Sequence, residues 1–91
     1  MKKRTARLYV ISGRVQGVGY RFFAVTAAQR LNVSGWARNL ADGRVEVYAC
    51  GTPGQLDEME GWLRKGPRFA DVRGVEVTEA AVSETPEFYI R

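Results

Sequence analysis

The sequence contains no histidine, and this absence restricts the chemistry open to the chain. Histidine is the usual general base near pH 7 and the commonest zinc ligand in proteins. Any catalysis must therefore work without an imidazole. Cysteine is nearly absent as well. The single Cys50 cannot form an internal disulfide, which is typical of a protein in a reducing compartment.

Long apolar segments are also missing. No run of 18 apolar residues is present, so a membrane-spanning helix is not expected. The basic start, Met1 to Arg4, is followed by strand-like alternation instead of the apolar block of a signal peptide. We therefore expect a cytoplasmic protein that does not associate with membranes.

The length of the chain favours one small domain. With 91 residues it can bury one modest hydrophobic core, and we predict a single domain over residues 1–91. Hydrophobic residues make up 45% and charged residues 26%, as in ordinary globular proteins. The net charge of +4 favours an anionic partner, either nucleic acid or a phosphorylated small molecule. Charge alone does not distinguish the two.

The first half of the chain has the hydrophobic periodicity of a strand, a helix and a hairpin. The predicted elements are a strand over Ala6–Ser12, a helix over Arg21–Leu31 that ends at Asn32, and strands over Ser34–Asn39 and Arg44–Cys50. The Asp42-Gly43 pair predicts a tight turn between the last two. In the third strand Val45, Val47 and Ala49 form an apolar face opposite a largely polar one, so the sheet should be covered on one side only.

The second half adds another helix and another strand. Thr52, Pro53 and Gln55 match the N-cap, N1 and N3 positions of a capping box, which predicts a helix start. The apolar face of this helix and its end are predicted at Leu56, Met59, Trp62, Leu63 and Gly66-Pro67. The remaining predictions are a fourth strand over Val72–Glu79, with Val75 and Val77 turned inward, and a short edge strand over Phe88–Arg91.

The resulting order, βαββαβ, predicts an α+β protein of ferredoxin-like architecture. In this sandwich an antiparallel sheet has two helices packed on one face. Trp36 and Trp62 are predicted to be core aromatics rather than ligand platforms. A fold of this kind serves many functions, so the function must come from particular residues.

A glycine-rich segment, GRVQGVGYR from Gly13 to Arg21, connects the first strand to the first helix. Backbone N–H groups and a helix N-terminus can converge there on an anion. Arg21 lies at the helix start, where a cation is normally unfavourable and a bound phosphate would remove the conflict. A simple tight connection is the alternative. The segment lacks the third glycine of a dinucleotide loop and the Gly-Lys-Ser/Thr of a nucleoside triphosphate loop.

The segment GRVQGVGYRFF, followed by SGWARNLADGRVEVYACG, closely resembles the two signature segments of the acylphosphatase family in order and separation. With the closing EFYIR, the resemblance covers nearly the whole chain. Family members have a ferredoxin-like fold and hydrolyse acyl phosphates to a carboxylate and inorganic phosphate, without a metal or cofactor. The resemblance implies the same fold and reaction here.

The resemblance also implies roles for individual residues. Arg21 corresponds to the arginine that binds the substrate phosphate, and Asn39 to the asparagine that positions the attacking water. The phosphate-binding set is then Val15, Gln16, Gly17, Val18, Gly19, Tyr20 and Arg21. Inorganic phosphate or sulfate should compete as anions, and a monomer is expected. Tyr20 stands where the family more often has Phe, so its hydroxyl could alter packing or substrate preference.

Two other functions are compatible with parts of this sequence. An RNA-binding module would use the same fold. However, the strand over Arg44–Cys50 lacks the aromatic RNA-binding signature and carries only Tyr48 on its exposed face. A phosphate-binding regulatory or carrier domain of a larger protein is the second alternative. The presence of both Arg21 and Asn39 in a chain that ends at Arg91 favours a free-standing enzyme that does not bind nucleic acid.

Overall fold

A computed structural model describes residues 3–83 and 85–91 of the chain. Met1 and Lys2, which belong to the basic start considered above, lie outside the described residues. The elements are β1 (Thr5–Arg14), α1 (Tyr20–Leu31), β2 (Ser34–Asn39), β3 (Val45–Gly51), α2 (Pro53–Lys65), β4 (Asp71–Ala80) and β5 (Phe88–Ile90).

The strands form one sheet in the order β4-β1-β3-β2-β5. Neighbouring strands are antiparallel except β2 and β5, which are parallel. The predicted edge strand is therefore present, and the sheet is mixed at this edge instead of antiparallel throughout. The connection after β4 leads to the opposite edge of the sheet. At that edge the direction of β5 is opposite to that of β4. Since the direction of β2 is also opposite to that of β4, β5 and β2 are parallel.

Both helices pack on one face of the sheet, as predicted. The buried residues of α1 are Tyr20, Ala24, Ala27 and Ala28, and those of α2 are Leu56, Met59 and Leu63. They form one cluster with alternate strand residues, among them Tyr9, Ile11, Val45, Val47 and Ala49. This pattern confirms the α+β ferredoxin-like architecture. No helix in residues 3–83 and 85–91 has the length and hydrophobicity needed to cross a bilayer.

The predicted ends of the elements follow from local hydrogen bonds. Asn32 ends α1 in the left-handed conformation, with a φ of 57°. The capping box of α2 is complete, since the Gln55 N–H donates to the Thr52 hydroxyl at 3.3 Å and the Thr52 N–H donates to the Gln55 Oε1 at 2.8 Å. The β2–β3 turn is closed by the Gly43 N–H, which donates to the carbonyl of Leu40 at 3.2 Å.

The face of the sheet away from the helices is less polar than predicted. Ala6, Tyr48 and Cys50 are buried there and form a second, smaller apolar cluster. The Tyr48 hydroxyl donates to the carbonyl of Ala81 at 2.6 Å and accepts from the N–H of Ser83 at 2.7 Å. The segment that follows β4 therefore covers this cluster, although no helix of the described residues packs on that face.

The prediction that both tryptophans are core residues is wrong for Trp62 and holds only in part for Trp36, which packs against the smaller apolar cluster and not the main one. Trp36 lies on the face opposite the helices, because β2 alternates and Trp36 is in register with Tyr48. Its ring stacks on that of Tyr48 with centroids 5.7 Å apart, and the guanidinium of Arg91 lies 4.5 Å from its ring centroid. Trp62 is 37% exposed because it lies at the margin of the apolar face of α2, where it contacts the ring of Phe23.

Candidate active site

The loop between β1 and α1, residues 15–19, leads into a helix N-terminus without a side-chain cap. Gly19 is the N-cap residue and has a φ of 79°, a conformation that glycine adopts without steric cost. It offers no side chain to accept from the first N–H groups of α1, and the first turn has no acidic residue. These N–H groups are therefore available to an anion.

Arg21 is the second residue of α1 and is partly buried. In the part of the chain that the structure describes, its guanidinium has no hydrogen-bond or ion-pair partner. Several other arginines do pair with carboxylates: Arg7 with Asp57, Arg38 with Glu46, Arg44 with Asp42, Arg64 with Glu60 and Arg73 with Asp71. Because a cation at a helix N-terminus is unfavourable, an anion bound beside Arg21 would stabilise this end of the helix.

Asn39 is the last residue of β2 and is exposed. Its backbone pairs with Val45 of β3 in the last pair of the β2–β3 ladder. This pairing fixes the position of Asn39 at the end of the strand. Within residues 3–83 and 85–91, its carboxamide makes no hydrogen bond. The amide is therefore free both to donate to and to accept from a bound molecule.

The side chain of Gln16 joins the loop to the hairpin that carries Asn39. Its Nε2 donates to the carbonyl of Leu40 at 2.8 Å and to the carbonyl of Arg44 at 3.0 Å. The N–H of Leu40 also donates to the carbonyl of Arg44, at 2.8 Å. Since the side chain of Gln16 is engaged in this link, its backbone N–H is the group left to contact a phosphate.

One cavity of about 210 Å³ brings most of the predicted site residues together. Its lining residues are Val15, Gln16, Gly17, Gly19, Tyr20, Arg21, Phe22 and Asn39. Arg21 and Asn39 thus face a common space although they belong to different elements. Val18 belongs to the same loop but is not one of these lining residues, and its side chain packs against the hydrophobic core.

Residues 7–90 match the model of the acylphosphatase family, whose description is "Acylphosphatase". The chain belongs to this family. An acylphosphatase of Solibacter usitatus is 57% identical over 86 residues, which cover 94% of this chain and 90% of the relative. Family membership confirms the predicted activity, the hydrolysis of acyl phosphates. It leaves the roles of individual residues as predictions.

Solved structures of acylphosphatases have the same fold. The acylphosphatase from Coxiella burnetii superposes with a TM-score of 0.92 at 35% identity and covers 97% of this chain and 93% of its own. The acylphosphatase from Bacillus subtilis superposes with a TM-score of 0.91 at 33% identity, covering 98% and 99%. These similarities confirm the ferredoxin-like fold for the chain.

Tyr20 lines the cavity of this acylphosphatase-family chain, but its hydroxyl is bound by α2. The phenol is buried, and its hydroxyl donates to the carbonyl of Leu63 in α2 at 2.6 Å. Burial raises the pKa of Tyr20 above its ordinary value. The expected effect of this hydroxyl on packing is therefore confirmed, because the helical turn directs it to the carbonyl of Leu63 in α2, whereas an effect on substrate preference stays a prediction.

Phe22 was missed by the sequence analysis. It lines the cavity beside Arg21, yet its side chain is 73% exposed. The available signal was its place outside the apolar stripe of α1, which runs through Ala24, Ala27 and Ala28. A single exposed apolar residue is common on protein surfaces, so it is the position of Phe22 beside Arg21 at the cavity that distinguishes it.

Proposed function

We propose that the chain hydrolyses acyl phosphates by in-line attack of a water on a phosphoryl group held in the 210 Å³ cavity. Arg21 and the backbone N–H groups of residues 15–20 bind the phosphate, and Asn39 positions the water. The observation that carries this proposal is that an unpaired arginine, an uncapped helix N-terminus and an unpaired carboxamide line the same cavity.

Phosphate binding is supported by the charge and geometry of the N-terminus of α1. A guanidinium offers a planar fork of donors that matches two phosphate oxygens. The uncapped N–H groups add fixed dipoles that need no reorganisation as charge develops on the transferred group. A bound phosphate also offsets the unfavourable interaction between the Arg21 charge and the helix dipole. The same features would attract inorganic phosphate and sulfate as competing anions.

The role of Asn39 follows from the chemistry of its side chain. A carboxamide is neutral at every ordinary pH, so it orients a water molecule but cannot deprotonate it. Its exposed position at the end of β2 leaves room for that water. We assign the proton of the attacking water to a phosphate oxygen of the substrate. A break in the pH–rate profile that disappears on mutation of one carboxylate would contradict this assignment.

The leaving group accounts for the small number of catalytic residues. The transition state of phosphoryl transfer is loose, so catalysis depends mainly on positioning and charge stabilisation. An acyl phosphate releases a carboxylate, whose conjugate acid has a pKa of about 4. Such a group leaves without a general acid, so a chain without histidine can catalyse the reaction. The proposal includes neither a metal nor a cofactor.

The proposal further treats residues 1–91 as one domain that acts as a monomer in the cytoplasm and does not bind nucleic acid. One main hydrophobic cluster that unites both helices and the sheet supports the single domain. The burial of Tyr48, which is 7% exposed, removes the one aromatic that β3 offered for base stacking. Sedimentation equilibrium tests whether the protein is a monomer. Salt-dependent binding of RNA would contradict the proposal that it does not bind nucleic acid.

The decisive assay is hydrolysis of benzoyl phosphate in excess chelator by the wild type, Arg21→Ala and Asn39→Ala. Removing one transition-state donor of this kind reduces kcat by about 100- to 1000-fold, and we expect losses of that size in both variants. Arg30→Ala is the matched control, because Arg30 lies in the last turn of the same helix. Circular dichroism verifies that each variant is folded. A folded wild type without activity, or an Arg21→Ala protein as active as Arg30→Ala, would contradict the proposal.

A further inference from the structure

Phe22 places a large apolar surface beside the phosphate-binding groups. It is the third residue of α1, next to Arg21, and its side chain is 73% exposed. Among the described residues no ring–ring contact engages it, whereas the neighbouring Phe23 contacts both Tyr20 and Trp62. Phe22 therefore serves neither the core nor the aromatic contacts between the helices.

The other residues that line the cavity offer no comparable apolar surface. Val15 and Tyr20 are each only 1% exposed. Gly17 and Gly19 have no side chain, and the side chains of the remaining lining residues, Gln16, Arg21 and Asn39, are polar. Among the described residues that line the cavity, Phe22 thus has the only large apolar side chain that is exposed.

The reaction geometry determines which part of a substrate needs such a surface. In an in-line displacement the leaving group lies on the side of phosphorus opposite the attacking water. Because Asn39 holds the water in the proposed mechanism, the acyl group is directed away from Asn39 and along another wall of the cavity. The polar walls bind phosphate, and the ring of Phe22 is the surface suited to an apolar acyl group.

We propose that Phe22 forms the acyl-binding wall of the cavity and favours acyl phosphates with a large apolar acyl group over acetyl phosphate. This inference rests on the proposed function. An aromatic ring of the substrate would lie against the exposed ring of Phe22 and remove apolar surface of both from water. The methyl group of acetyl phosphate covers far less of the ring, so it gains less.

The test compares kcat/KM for benzoyl phosphate and acetyl phosphate in the wild type, Phe22→Ala and Phe22→Leu. An aromatic pair contributes enough for about a 3- to 10-fold effect, so Phe22→Ala should lower the benzoyl-to-acetyl ratio of kcat/KM by that factor. Phe22→Leu retains an apolar side chain and should give an intermediate ratio. Because Phe22 is exposed, both variants should fold, and thermal unfolding checks this.

Phe69→Ala is the matched control. Phe69 is 70% exposed, like Phe22, but does not line the cavity, so its removal should leave the ratio at the wild-type value. An active Phe22→Ala protein with an unchanged ratio would overturn the inference and leave the proposed function standing. Equal losses for both substrates would also overturn it, because Phe22 would then support the site without selecting the acyl group. A wild type that hydrolyses neither substrate would refute the proposed function, and the inference with it.

Discussion

The side-chain amide of Gln16 lies 2.8 Å from the main-chain carbonyl of Leu40, the residue that directly follows Asn39. Its second hydrogen bond, to the carbonyl of Arg44, joins the other side of the same hairpin. One side chain in the loop thereby holds the turn that follows the proposed water-positioning residue. The relative position of Arg21 and Asn39 therefore depends on this link as well as on the sheet.

Replacing Gln16 with Ala should reduce both stability and turnover. Each hydrogen bond lost costs about 0.5–1.5 kcal/mol of unfolding free energy. The freed hairpin should lower kcat by roughly tenfold, since small misplacements of a positioning group are costly. Binding of inorganic phosphate should weaken less, because Arg21 and the loop amides remain. Gln29→Ala, an exposed glutamine of α1, is the control. Equal effects of both variants on kcat would refute this account.

Replacing Arg21 with Gln should stabilise the protein in phosphate-free buffer by about 0.3–1 kcal/mol, because it removes a cation from a helix N-terminus. Phosphate should raise the urea midpoint of the wild type by mass action but have little effect on the variant. Arg30→Gln should show the opposite sign, since Arg30 lies at the C-terminal end of α1. If phosphate stabilised wild type and Arg21→Gln equally, Arg21 would not be the phosphate ligand.

Stability should decrease at alkaline pH because of two buried phenols. Burial raises the pKa of both Tyr20 and Tyr9 in the folded state. The unfolded chain releases these protons near pH 10, while the folded chain retains them. The contribution of the two phenols to the free energy of unfolding is therefore complete below about pH 10. It is lost as the pH rises through their raised folded-state pKa values. Urea unfolding between pH 8 and 11 measures this loss.

Tyr20→Phe should make this alkaline decrease shallower. It should also cost about 0.5–1.5 kcal/mol near neutral pH, because the hydrogen bond to the carbonyl of Leu63 is lost. Tyr89→Phe is the control, since Tyr89 is 42% exposed on β5. An identical pH dependence in the wild type and Tyr20→Phe would show that this phenol does not contribute.

Two glycine substitutions should change stability in opposite directions. Gly61 lies inside α2, where a Cβ would meet no atom within 4 Å, so Gly61→Ala should stabilise the protein by about 0.5–1 kcal/mol. Gly35 has a φ of 142°, and a Cβ there would lie 1.9 Å from the carbonyl oxygen of Tyr48. Gly35→Ala should therefore destabilise it by about 2–3 kcal/mol. Thermal unfolding of both variants measures the two changes in stability. Changes of the same sign would contradict the prediction.

Elements with strong local signals were predicted well. The bounds of β2 agree with the structure, and Asn32 and Thr52 cap their helices as expected. These signals depend on side chains that hydrogen bond within a few residues of their own position. The ends of the strands were predicted less exactly. β1 continues to Arg14, beyond the predicted Ser12, because its pairing with β4 resumes after an irregularity at Ser12/Gly13.

Side chains whose role depends on distant neighbours were predicted poorly. Trp36 was assigned to the core, but the register of β2 places it opposite the helices. The Tyr20 hydroxyl was expected near the loop, but the docking of α1 on α2 directs it to Leu63. Phe22 received no role, because its place outside the apolar stripe of α1 indicates exposure but not which cavity the residue lines.

The sequence by itself determined the order of the elements, the ends of both helices and membership of the acylphosphatase family. Each of these depends on local spacing or on the signature segments that contain Arg21 and Asn39. Only the tertiary structure decided that Arg21, Asn39 and Phe22 share one cavity and that Gln16 binds the hairpin. Those contacts join residues far apart in the chain, so they depend on strand register and helix docking, which no local pattern encodes.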